Sequence, residues 1–279
     1  MTSRRPVALV TGAASGIGRA TALELARRGY DLVPVDVNAE ALEQATSELR
    51  HAGAAVSPQA RDLAKKSEVQ ACAEQALADA GRVDLLYNNA GVLYMGHARE
   101  MTLEDWEWII DVNLWAPIRL THALLPHMLE RGNGTIACTA STAGLVPMPH
   151  LVAYTLTKHA LVGMCQSLAL EVEPEGVSVC VVAPGQITTG LVKGGRFDGT
   201  SRAAGALEML GSGAGYPLDK AAREIADGLI AKKSTVLVGR EVAPLWWIKR
   251  VSPRLSHRLG KLLFAELEKR TGAPGMSGG

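Results

Sequence analysis

From Val7 to Val238, short apolar runs alternate with segments of helical period, and that alternation leaves few folds open. Runs at Val7–Val10, Leu32–Val35, Ala55–Gln59 (the weakest), Val83–Tyr87, Thr135–Thr139, Val177–Val182 and Thr235–Val238 read as strands. Between them, residues 16–29, 39–51, 67–79, 103–130, 150–173 and 219–232 carry the helical period. Strands separated by whole helices pair in parallel, because the crossover returns the chain to the same edge of the sheet. The expectation is a single-domain, doubly wound α/β (Rossmann) fold with a parallel sheet of about seven strands.

Composition narrows the function classes. The 279 residues carry a formal net charge of +1, so nothing in the overall balance draws the chain to nucleic acid. Hydrophobic residues at 47% supply a core, and aromatics at 4% make that core mainly aliphatic. Cys72, Cys138, Cys165 and Cys180 show no paired spacing and sit in apolar stretches, which reads as buried thiols in a reducing compartment. Val7–Val10 behind Arg4-Arg5 is too short for a signal-peptide core, and no stretch reaches the ~20 apolar residues of a membrane span. A cytoplasmic protein is expected. His97, His122, His127, His150, His159 and His257 show no metal-ligand spacing, so no catalytic metal is expected; His150 lies near the presumed cleft entrance.

The first strand runs into Thr11-Gly-Ala-Ala-Ser-Gly-Ile-Gly18 and then a helix. A helix N-terminus with its free N–H groups binds anions, and glycines let a pyrophosphate approach. Gly12 permits the tight turn, Gly16 clears space for phosphate and Gly18 packs helix on sheet, with Ser15 and Ile17 between them. At the end of the second strand stands Asp36, whose carboxylate can accept both hydroxyls of an adenosine ribose and repels a 2′-phosphate. Its neighbours Ser15 and Val37 offer no cation, so NAD(H) is expected rather than NADP(H).

Tyr154 and Lys158 are one helical turn apart, and Ser141 lies just after the fifth strand. Oxidising an alcohol requires a base for the hydroxyl proton while a hydride leaves. A tyrosine near pKa ~10 serves at neutral pH only if phenolate is favoured by about 4 kcal/mol. A cation about 4 Å away supplies roughly that at an effective dielectric of ~20, and Lys158 is the nearby cation. Ser141 would hydrogen-bond the substrate oxygen.

These residues resemble the short-chain dehydrogenase/reductase family in its ordinary, non-extended branch. The likeness spans about residues 5–240 and rests on TGAASGIG at 11–18, Asp62-Leu63, NNAG at 88–91, Asn113, Ser141, Tyr154-x-x-x-Lys158 and Pro184-Gly185 with Thr189. It implies that Asp62 and Leu63 flank the adenine and that Asn89, Ala90 and Gly91 line the adenosine side. It implies that Pro184, Gly185, Ile187 and Thr189 run along the nicotinamide. Asn113, Ser141, Tyr154 and Lys158 correspond to the family's catalytic tetrad, with Asn113 holding a proton-relay water and Lys158 also reaching the nicotinamide ribose. The family also implies a homotetramer or homodimer. The expected activity is NAD-dependent interconversion of a small apolar secondary alcohol and its ketone. Leu145, Val146, Met148, Leu151 and Val152 suggest the apolar preference. Two alternatives stay open: an NADPH-dependent reductase of acyl or polyketide carbonyls, and a dinucleotide-sensing protein without turnover.

Two segments break the rhythm. The glycine-rich stretch 190–217 shows no clean strand and reads as a substrate lid closing a catalytic domain at 1–245. Residues 246–279 form a basic extension in which 246–270 hold seven Lys/Arg against two Glu. Leu255, Leu259, Leu262 and Leu263 recur at helical spacing opposite Arg254, Arg258 and Lys261. That pattern fits either peripheral contact with an anionic membrane or packing on a subunit or the lid. Residues 271–279 read as disordered.

Overall fold

The computed structural model describes residues 5–187, 195–197 and 215–270. In chain order the main elements are β1 (Val7–Thr11), α1 (Gly16–Arg27), β2 (Asp31–Asp36), α2 (Ala39–His51), β3 (Gln59–Ala60), α3 (Lys66–Ala80) and β4 (Leu85–Asn88). Then come β5 (Tyr94–Met95), α4 (Leu103–Ile110), α5 (Ala116–Glu130), β6 (Gly134–Thr139), α6 (Val152–Val172) and β7 (Val177–Pro184). The chain continues through β8 (Arg196–Phe197), α7 (Leu218–Ile230), β9 (Thr235–Val238), α8 (Val242–Val251) and α9 (Pro253–Arg270).

Seven strands form one parallel sheet in the order β3-β2-β1-β4-β6-β7-β9. Strands β1, β4, β6 and β7 are buried on both faces, which is why they read as unbroken apolar runs rather than alternating ones. One core layer joins Leu9, Val69, Leu120, Leu124, Ile136 and Leu161 under α3, α5 and α6. The opposite layer joins Val10, Ala22, Leu25, Leu42, Ile225 and Leu229 under α1, α2 and α7. Strand order reverses between β1 and β4, so the connections that follow them run to opposite faces of the sheet, the arrangement that leaves a crevice beyond the strand ends. All four cysteines are buried and free.

The structure departs from the sequence reading in four places. The third strand shrinks to Gln59–Ala60 plus one bridge between Leu32 and Val56, since β3 is an edge strand with a single neighbour to specify it. The stretch 103–130 is helical throughout but widens into a π turn at Asp111–Trp115. His150 and Leu151 precede α6 rather than opening it, and His150 has a left-handed backbone at φ 60°. Within the presumed lid, Arg196–Phe197 pairs in parallel with Tyr94–Met95 as a second small sheet; two residues are too few to show a period. Only 195–197 and 215–217 of that segment are among the described residues, and residues 271–279 lie outside them.

Candidate active site

The coenzyme side is built from the turn after β1. Gly12 and Gly16 have φ of 67° and 52°, where any Cβ is strained. A Cβ on Gly12 would also lie 2.9 Å from the Ala90 Cα, and one on Gly18 would strike the Gly12 carbonyl. Ser15 caps α1 with extended backbone, and its side chain makes no capping bond. The first-turn N–H groups of Gly16, Ile17 and Gly18 therefore point out of the helix end, the electrostatic arrangement an anionic ligand completes.

Asp36 works harder within the protein than its motif position suggests. One carboxylate oxygen accepts from Ala14 N at 3.0 Å and the other from Asn38 N at 3.0 Å. It thus ties the glycine turn to the end of β2 while keeping its remaining lone pairs for a ligand. Two nearby cations are engaged elsewhere: Arg61 with Glu68 at 2.9 Å and Gln75 at 2.7 Å, Arg19 with Glu48 at 2.6 Å. Asp62 accepts from Ala64 N at 3.1 Å. Leu63 turns its side chain into the core, so only its backbone is left to meet a ligand.

Across the crevice, Thr11 fastens β1 to the chain after β4. Its hydroxyl accepts from both Asn89 N and Ala90 N at 2.9 Å, and its carbonyl accepts from Asn89 Nδ2 at 3.0 Å. Thr139 donates to Tyr87 Oη at 2.9 Å and also lies 3.2 Å from Asn89 Oδ1. Neither threonine was singled out as a site residue from the sequence. Their only signal is their place at the C-terminal ends of central strands.

The π turn explains Asn113. One extra residue in the turn rotates its amide inward, fully buried, as such bulges often do near functional sites. Its Oδ1 accepts from Val92 N at 2.8 Å, and its Nδ2 donates to Val92 O at 2.9 Å and lies 3.3 Å from Thr157 Oγ1. The amide therefore acts as a clamp on the chain after β4, with a partner in Val92 that no local motif marks. A Cβ on Gly91 would sit 3.3 Å from Asn113 Oδ1 and 3.4 Å from Lys158 Nζ, so the missing side chain keeps that corner open.

Tyr154 and Lys158 share one face of α6 as their spacing requires, with the Lys158 ammonium 5.5 Å from the Tyr154 ring centre. The Tyr154 hydroxyl lies close enough to Ser141 for the serine to lower the phenol's pKa. Ser141 has extended backbone, and its Oγ accepts from Ala143 N at 3.2 Å, which aims the hydroxyl towards α6. Lys158 donates to the Thr139 carbonyl at 2.7 Å. Asn113, Ser141, Tyr154 and Lys158 are thus brought into one neighbourhood at the C-terminal end of β6.

Burial dominates the electrostatics of this corner. It pushes the Tyr154 phenol up to about 12, and Ser141 offsets only part of that. Burial pushes Lys158 down to about 8. A lysine that must itself be desolvated to reach the tyrosine loses part of its power to acidify it. The protein's own groups therefore leave Tyr154 a proton donor at neutral pH.

On the nicotinamide side, Pro184 ends β7 and Gly185 follows. A Cβ on Gly185 would collide with Glu241, whose carboxylate accepts from Gln186 N at 2.8 Å. Glu241 is a supporting residue that no local motif marks. Ile187 bridges to Tyr216; Thr189 lies outside the described residues. Met148, Leu151, Trp106 and Phe197 pack around Tyr154 as an apolar wall. Leu145 belongs instead to a neighbouring cluster with Ala183 and Val242, Val146 is buried, and Val152 is 47% exposed. His150 stacks on Phe264 at 5.2 Å, and its carbonyl accepts from Gly96 N at 3.0 Å.

A seven-stranded parallel sheet with a glycine turn after β1 and with Ser141, Tyr154 and Lys158 gathered at the end of β6 has the layout of a dinucleotide-dependent class of oxidoreductase. The family model of short chain dehydrogenases matches residues 6–198. Cyclohexanol dehydrogenase of Acinetobacter sp. (strain SE19) is 37% identical over 187 residues, 67% of this chain and 74% of that protein. A short chain dehydrogenase/reductase from Burkholderia phymatum in complex with NAD superposes with a TM-score of 0.81 at 28% identity, covering 91% of this chain and 96% of that one. A short-chain dehydrogenase from Sphingobium yanoikuyae in complex with NADPH gives 0.75 at 27% identity, covering 98% of each. This chain belongs to the short-chain dehydrogenase/reductase family and is one of its oxidoreductases.

Proposed function

We propose that the protein transfers a hydride between NAD(H) and a small, apolar secondary alcohol or its ketone, with Tyr154 moving the proton. The observation that carries this reading is the Lys158 ammonium, buried 5.5 Å from the Tyr154 ring centre and bonded to the Thr139 carbonyl at 2.7 Å, with Ser141 two residues beyond that strand end. The relative named cyclohexanol dehydrogenase supports an alcohol substrate, and the wall of Met148, Leu151 and Phe197 supports an apolar one.

A bound nicotinamide supplies the carbon that accepts or returns the hydride, and in its oxidised form a positive ring. The protein's residues do the rest. Ser141 and Tyr154 hold the substrate oxygen between two hydroxyls. In reduction, the protonated Tyr154 gives its proton to the oxygen as negative charge develops there, and Ser141 steadies that charge. In oxidation, Tyr154 takes the hydroxyl proton and Lys158 stabilises the phenolate. Burial raises the Tyr154 pKa, and the positive ring of an oxidised nicotinamide would add to Lys158 in favouring the phenolate. Asn113 holds Val92 in line and carries a relay water towards Lys158, a role resting on the family likeness.

Asp36, accepting the ribose hydroxyls, with Arg19 and Arg61 engaged elsewhere, favours NAD over NADP. Gly12, Ser15, Gly16, Ile17 and Gly18 would meet the pyrophosphate, Asp62, Leu63, Asn89, Ala90 and Gly91 the adenosine side, and Pro184, Gly185, Ile187 and Thr189 the nicotinamide. An NADPH-dependent reductase remains the alternative that Asp36 opposes. The protein acts as a homo-oligomer, to be checked by light scattering. For the catalytic assignment, Tyr154→Phe should cut kcat at least a thousandfold (roughly 4 kcal/mol of barrier) while NADH still titrates to a similar Kd. A variant keeping a tenth of wild-type kcat would end the Tyr154 assignment.

A further inference from the structure

The C-terminal helices turn the wrong face outward for a segment that serves only its own subunit. In α9, Ser252 at the joint, Ser256, Gly260 and Leu263 are the half-buried positions, one side of the helix. On the solvent side, Leu255 is 46%, Leu259 40% and Leu262 67% exposed, and the series continues back into α8 with Val251 at 79% and Trp247 at 59%. An amphipathic helix in water buries its leucines and exposes its serines. Here the side with Ser252, Ser256, Gly260 and Leu263 meets the protein body while Leu255, Leu259 and Leu262 stay outside, so that leucine row is not spent on the domain beneath. Exposed apolar surface at this density marks a contact with something else.

The charges indicate what that something is. Arg250, Arg254, Arg258 and Lys261 recur at steps of three and four residues and run along one flank of the leucine row. If a second copy paired here as an antiparallel two-fold, the same flanks would face each other and cation would oppose cation. An anionic lipid surface instead satisfies both rows at once: leucines enter the acyl boundary, cations sit at headgroup level, and an exposed tryptophan suits the interface. No helix among the described residues is long and apolar enough to cross a membrane, so the contact would lie in the plane.

We propose that the outer face of α8 and α9, formed by Trp247, Val251, Leu255, Leu259 and Leu262 with Arg254, Arg258 and Lys261, docks the protein on an anionic lipid bilayer. The opposite side of α9 is fixed at the site itself, because Phe264 stacks on His150 at 5.2 Å beside the wall of Met148 and Leu151. Docking therefore holds the substrate entrance close to the lipid phase, where an apolar alcohol concentrates. The docking surface stands independently of the hydride-transfer reading, since none of its residues lines the pocket.

Flotation of the full-length chain with vesicles of phosphatidylcholine alone, or with one-third phosphatidylglycerol, tests the proposal. Binding is expected to the anionic vesicles only, and high salt should release it. The triple variant Leu255→Asn, Leu259→Asn, Leu262→Asn and the double variant Arg254→Glu, Arg258→Glu should each lower partitioning at least tenfold, with melting temperature and molar mass unchanged. A wild-type chain that stays unbound to both vesicle types overturns the proposal, whatever the variants do. Equal flotation of all proteins overturns it too. A leucine variant that halves the molar mass would make this face a subunit contact instead.

Discussion

Lys158 offers the sharpest test of the energetics, because its substitution should raise stability while removing activity. The side chain is 2% exposed, and among the described residues its ammonium meets the Thr139 carbonyl at 2.7 Å and no carboxylate. Burial lowers its pKa from 10.5 to about 8. At about 1.4 kcal/mol per pH unit, keeping it charged in the fold costs about 3 kcal/mol at neutral pH. Lys158→Met keeps the stem and removes the charge, but forfeits a charge-assisted hydrogen bond of about 1.5 kcal/mol. A net gain of about 1.5 to 2 kcal/mol remains. With an unfolding entropy of about 2 cal/mol/K per residue, a chain of this size should melt roughly 3 °C higher. The pH dependence has a definite sign. Below pH 8 the lysine is charged folded and unfolded, so the penalty is complete. Between 8 and 10.5 the unfolded chain binds the extra proton, so wild-type stability climbs with pH and the variant's advantage shrinks. Calorimetry at pH 7 and pH 10 measures both. A variant that melts at or below the wild type at pH 7, or an advantage unchanged at pH 10, would refute the claim that Lys158 is held charged at a desolvation cost.

Three further outcomes follow from the geometry. Asn113→Ala leaves the half-buried Val92 N–H and C=O without their amide partner and should cost about 1 to 3 kcal/mol, read as the shift in urea midpoint at unchanged slope. Asp36→Ala should raise KM for NAD at least tenfold and narrow the preference over NADP, measured as the ratio of kcat/KM values; an unchanged ratio would remove Asp36 as the selecting residue. Gly18→Ala drives a methyl into the Gly12 carbonyl and should weaken NADH binding at least tenfold by fluorescence titration, with little loss in Tyr154-side packing.

Much of this protein is written locally. The boundaries of α2 at Ala39–His51 and of β9 at Thr235–Val238 match the periodicity, because each needs only its own apolar spacing and its terminal residues to specify it. One turn of helix between Tyr154 and Lys158 places both on one side of α6 in any fold that keeps the helix. The strand–turn–helix around Gly12 and Gly16 is equally local, since positive φ is a property of single residues. Tertiary structure decided what depends on distant groups. The π turn that rotates Asn113 onto Val92 answers to a partner twenty-one residues away in the chain. Arg196–Phe197 becomes a strand only because Tyr94–Met95 lies beside it. Periodicity identified a leucine face in α9 but could not say that this face points away from the body. Spacing brought a cation to Tyr154, yet the solvent both groups lose on burial moves their titration in ways spacing does not show. Sequence spacing fixes which side chains share a face; solvation is a sum over everything the fold packs around them.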